Sequence, residues 1–158
     1  MKAATAVQLK KEIKFRSKEE LEQLCLRLAR FKKENKELLT YLLFEADHEE
    51  SYVAEVKEYI AEQFEGINTT SFYYTKKSIR KILRETKKYI RYSPVKETEV
   101  ALLLYFCKLM IEFSSSIKRS KTMVGLYERQ LSLIEKKIGT LHEDLQHDYL
   151  LELNELPR

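Results

Sequence analysis

Tryptophan is absent from this chain, and glycine, proline, cysteine and histidine are scarce: three Gly, two Pro, two Cys and three His in 158 residues. Each scarcity excludes something. β-Hairpins need turns that glycine supplies, so three glycines argue against a sheet-rich fold. There is no glycine-rich loop to cradle a nucleotide phosphate and no serine set in a glycine elbow. Cys25 and Cys107 each lie in an apolar stretch with no histidine nearby in sequence, so both read as buried free thiols. Long apolar runs are also missing. The most apolar one, residues 100–107, is interrupted at Lys108 and is too short to span a bilayer. The first residues reach Lys10 and Lys11 without an apolar core of the signal-peptide kind, so a cytoplasmic location is expected.

What is present is helix-forming. Leu, Lys, Glu, Ile and Arg dominate, and apolar residues make up 44% of the chain against 34% charged. That balance suits a folded chain rather than a disordered or membrane-embedded one. The length suits one domain over residues 1–158. The expectation is an all-α fold, a multi-helix bundle or short α-superhelix of about six to eight helices.

Apolar spacing places the helices. A short helix is expected over residues 3–14. Ser17 and Glu20 form a capping-box pattern ahead of Leu21, Leu24, Cys25, Leu28 and Phe31, which recur at helical spacing. The polar run around Asn35 predicts a break, after which Leu38, Leu39, Leu42, Leu43 and Ala46 resume the stripe. Asp47 is placed to cap an acidic helix that ends at Gly66 and Asn68. A basic helix over residues 72–92 should stop at Ser93-Pro94, because the residue before proline is pushed out of helical geometry. Residues 95–113 are apolar on most sides, the mark of a central helix. Ser114, Ser115 and Ser116 read as a helix junction. Tyr127, Leu131, Ile134, Ile138, Leu141 and Leu145 then form a heptad-like seam, which Gly139 and a capping box starting at Thr140 would split in two. That seam offers a route to a homo-oligomer through residues 126–150, or else packs on the chain's own core.

Charge is distributed very unevenly. Residues 45–65 hold eight carboxylates and one cation, Lys57, whereas residues 76–96 hold nine cations and one carboxylate, Glu85. Lys77, Lys81, Arg84, Lys88 and Arg91 recur at helical spacing on one side of the basic helix, and Lys76, Arg80 and Lys87 widen the row. Tyr73, Tyr74, Tyr89 and Tyr92 flank it. Cations with aromatics can grip phosphates and stack on bases, so the partners expected are nucleic acid or an acidic protein. Alternatively, the acidic helix neutralises the row internally through Glu55, Glu58 and Glu62.

Residues 5–43 loosely resemble SAP-type DNA-binding motifs, through two helices around Asn35-Lys36-Glu37-Leu38-Leu39. They lack the glycine such motifs place before the lysine. The resemblance implies DNA contact but assigns no residue a role. Glu45/His48 and Asp144/His147 each set a carboxylate and an imidazole one turn apart, but two further inward carboxylates would be needed for a metal centre, with Glu99 and Glu112 the nearest supply. His142 and His147 are five apart, so they lie about 140° around a helix and do not share a metal as an i, i+4 pair does. No catalytic constellation, metal or cofactor is expected, and the function expected is a non-enzymatic binding or scaffold protein.

Overall fold

Ser17 and Glu20 cap each other as their spacing predicts. The Glu20 amide donates to Ser17 Oγ at 3.1 Å, and the Ser17 amide donates to Glu20 Oε2 at 2.8 Å. Those bonds satisfy two donors left orphaned at a helix start. Thr5 and Gln8 repeat the device one helix earlier. The structure, a computed structural model, describes residues 1–113 and 117–158, so the expected serine junction lies outside the described residues. Among the described residues there are eight α-helices and no strand. The chain groups into two compact units, Met1–Phe44 and Glu45–Arg158.

The first unit holds α1 (Ala6–Ile13), α2 (Lys18–Phe31) and α3 (Lys33–Thr40). The break between α2 and α3 falls at Lys32, whose backbone is extended at φ −141° and ψ 149°, three residues earlier than the polar run suggested. Asn35 still serves the break: its Nδ2 donates to the Leu28 carbonyl at 2.8 Å, one of the acceptors a helix end leaves unpaired. Helices α1 to α3 bury no side chain, and Tyr41 is the buried residue of this unit. Cys25, expected inside, is exposed. An amphipathic stripe is buried only where another element covers it, and spacing alone does not supply that element. A π-helical turn, Tyr41–Glu45, carries the chain onward.

The second unit is a helical bundle built around one helix. It contains α4 (Glu49–Glu65), α5 (Phe72–Tyr92), α6 (Lys96–Phe113), a 3₁₀ turn (Ile117–Arg119), α7 (Lys121–Ile138) and α8 (Glu143–Glu155). Helix α6 packs against α4, α5, α7 and α8, the central position its all-round apolar sequence predicts. Leu102, Leu103, Phe106, Cys107 and Met110 are fully buried along it. Each such side chain contributes roughly 1.5–3 kcal/mol relative to exposure. Phe64 of α4 stacks obliquely on Phe106 at 5.7 Å between ring centres.

Two caps differ from expectation. His48, not Asp47, precedes α4, and it makes no side-chain cap bond. Its neighbour Glu49 instead accepts hydrogen bonds from the hydroxyls of Ser93 and Thr98, which joins the start of α4 to the turn between α5 and α6. Gly139 does end α7, but α8 is capped by His142, whose Nδ1 accepts from the Asp144 amide at 3.4 Å, while Thr140 bonds back to the Lys137 carbonyl. Tyr127, Leu131, Ile134 and Ile138 of the heptad-like seam are buried within the bundle, and α7 packs chiefly on α6. No helix among the described residues is long and apolar enough to cross a membrane.

Candidate functional site

Two periodicities on α5 set the site. Thr75, Ile79, Ile82, Leu83 and Thr86 recur on one side and are buried against the bundle. Thr86 is tolerated there because its hydroxyl bonds back to the Ile82 carbonyl at 2.9 Å. With that side fixed inward, a rotation of 100° per residue turns positions 73, 77, 80, 84 and 91 outward within an arc of roughly 60°.

Lys77, Arg80, Lys81, Arg84 and Arg91 are exposed, as the row predicts. Lys76 and Lys87 are half-buried at its edge. Lys88 departs from the expected row. It is 9% exposed, its Nζ is 2.8 Å from Glu85 Oε2, and it lies 4.6 Å from the centre of the Tyr89 ring. Glu85, one turn back on the same helix, draws the ammonium inward, and an i, i+3 acid was the signal in the sequence. The exposed row is therefore dense from Lys77 to Arg84 and resumes only at Arg91.

The four flanking tyrosines divide into two kinds. Tyr89 and Tyr92 belong to the packing: Tyr89 meets Tyr59 edge-on at 5.3 Å and Tyr92 at 5.9 Å, and Tyr92 is buried. Tyr73 and Tyr74 stand in solvent, 66% and 48% exposed, and meet edge to face at 5.5 Å. Phe72 joins them, exposed, with Lys76 Nζ 5.2 Å from its ring centre. Sequence reasoning overlooked Phe72, although its place directly before the two tyrosines was visible. Ser71 holds this end in register, accepting from the Tyr74 amide at 3.4 Å. A cleft of about 530 Å³ runs along the outward side, lined by Tyr73, Ser78 and the cations from Lys76 to Arg84.

Among the described residues, neither Glu55, Glu58 nor Glu62 forms an ion pair with Lys77, Lys81 or Arg84. The contacts between α4 and α5 include the edge-on pair of Tyr59 and Tyr89 and the hydrogen bond from Tyr52 to the Tyr89 carbonyl.

The remaining candidates are dispersed. Glu99, weighed as a metal ligand, pairs with Lys137 at 2.7 Å. Among the described residues no group of three His, Cys, Asp or Glu side chains converges on one point. Comparison with protein-family models, with curated proteins and with solved structures found no match.

Proposed function

We propose that the chain is a non-enzymatic, cytoplasmic binding protein that holds nucleic acid through its phosphates on the outward face of α5. One observation carries this reading: Lys77, Lys81 and Arg84 stand in a solvent-exposed row with, among the described residues, no carboxylate paired to them. Cations left in water keep their full attraction for a polyanion, because no internal ion pair has to break first. The free thiols Cys25 and Cys107 suit a reducing compartment.

Binding of this kind releases counterions. Four phosphate contacts lower log affinity by about 3.6 per log unit of salt on duplex DNA, or about a hundredfold for a fourfold rise in salt. The test is fluorescence anisotropy of labelled DNA and RNA oligonucleotides at two salt concentrations. The expected result is salt-sensitive binding that is lost when Lys77→Glu, Lys81→Glu and Arg84→Glu are combined. Undiminished binding by that folded variant overturns the reading.

A further inference from the structure

We infer that the nucleic acid this face accepts is single-stranded, read by the aromatic end of α5 as well as by its cations. The inference rests on the reading just proposed and goes beyond it. Its ground is the asymmetry of the helix: cations from Lys76 to Arg84, exposed rings at the N-terminal end, and at the other a half-buried Tyr89 packed on Tyr59 and a buried Tyr92.

The exposed rings need a reason. Phe72, Tyr73 and Tyr74 are three consecutive exposed large aromatics, while at the far end of the same helix Tyr92 is buried and Tyr89 is half-buried against Tyr59. Tyr73 lies on the same stripe as Lys77, Arg80 and Arg84, so one ligand reaches ring and cations together. Among polyanions, only nucleic acid offers flat aromatic faces beside regularly spaced phosphates. In a duplex those faces are stacked between neighbours, and a tyrosine on the outside meets sugar and phosphate. In a single strand the bases turn out and stack on side-chain rings regardless of sequence.

The dimensions agree. Lys77, Lys81 and Arg84 are separated by about 6 Å and 4.5 Å along the helix axis, at 1.5 Å rise per residue. Such a line of charges follows one extended backbone. From Tyr73 to Arg84 the face is about 16 Å long. Beyond Arg84 the charge stripe is interrupted, because Lys88 is turned in to Glu85. The footprint is therefore short, about four nucleotides, at the lower end of the range for compact single-strand binders.

The experiment uses the full chain and one labelled mixed-sequence 12-mer, as DNA and as RNA, alone and annealed to its complement, at low salt. The expected result is single strands bound at least about tenfold tighter than duplex. Combining Tyr73→Ala and Tyr74→Ala should weaken single-strand binding by about tenfold or more and leave duplex binding as it was. Both side chains are exposed, so the variant keeps its fold, which circular dichroism checks. The Tyr73→Phe, Tyr74→Phe pair keeps the rings and should bind as the parent does. Duplex bound as tightly as single strand, or single strands bound unchanged by the alanine pair, overturns the inference and leaves the phosphate-binding reading standing. Binding to none of the four probes overturns both.

Discussion

The Tyr52 hydroxyl donates to the backbone carbonyl of Tyr89 at 2.8 Å and ties α4 to the last turn of the basic helix. The last four carbonyls of a helix lack partners within it, and Tyr89 contributes one of them to α5. Tyr52 is buried, so this bond forms where water is scarce. Replacing Tyr52 with Phe keeps the ring and removes the donor. The expected cost is about 1–2 kcal/mol, seen as a lower urea midpoint at unchanged slope. A midpoint equal to the parent's would show that the carbonyl is satisfied some other way.

Reversing the exposed row tests the electrostatics separately from binding. Among the described residues Lys77, Lys81 and Arg84 reach no carboxylate, so glutamate at all three positions should leave the melting temperature in place or raise it as like charges separate. A fall of more than about 3 °C would mean that the row is bound to the acidic helix in solution.

Core and surface leucines should part sharply. Leu103 is fully buried on α6, and Leu103→Ala is expected to cost about 2–5 kcal/mol through lost burial and the cavity left behind. Leu28 on α2 is 61% exposed, and Leu28→Ala should stay within about 0.5 kcal/mol. Chemical denaturation of the two variants side by side decides this, and equal losses would contradict the burial pattern.

The two thiols should react on different timescales. A thiol-reactive dye added to the folded protein should label Cys25 rapidly and Cys107 only after denaturant exposes it. Two rapid equivalents in native buffer would mean that α6 is not sealed.

Stability should decline in alkali. Burial pushes the Cys107 thiol from 9.0 up to about 12. It likewise pushes the Tyr127 phenol from 10.0 up to about 12. Tyr149 is raised first by burial and then by the hydrogen bond it donates to Glu97 at 2.8 Å. Between these ordinary and raised values the unfolded chain releases protons that the folded chain keeps. Stability is thus fully present below about pH 9 and is lost as pH climbs toward 12, with Cys107 alone contributing up to about 1.4 kcal/mol per pH unit. Urea midpoints at pH 8 and pH 10.5 measure this, and Cys107→Ala should flatten the early part of the decline. Equal midpoints would refute it.

Local signals in the sequence translated well. The Ser17–Glu20 capping box, the span of α5 and its stop at Ser93-Pro94 depend on residues within a few positions of one another, and each stands where expected. The central role of α6 was legible because no surface helix carries apolar residues on nearly every side. Features that depend on distant neighbours did not translate. Cys25 sits in a stripe indistinguishable from a core stripe, yet it is exposed and α2 buries no side chain. Asp47 looked like a cap, but the start of α4 is organised by Glu49 and the hydroxyls of Ser93 and Thr98, about 45 residues away. At the site, the period of the cations was readable and their accessibility was not. Lys88 fits the spacing as well as Lys81 does, and, apart from Glu85 three residues before it, only the folded chain separates them. The same holds for the tyrosines, where only packing distinguishes the solvent-facing pair from the half-buried Tyr89 and the buried Tyr92.

Most apolar side chains of the first 44 residues stand exposed to water, and heat will register that. Calorimetric unfolding draws its heat-capacity increment from apolar surface newly wetted on melting. Val7, Ile13, Phe15 and Phe31 are wet already, each at least half exposed. Helices α1 to α3 should then lose their hydrogen bonds gradually, without an endotherm of their own, while residues 45–158 supply the single cooperative peak.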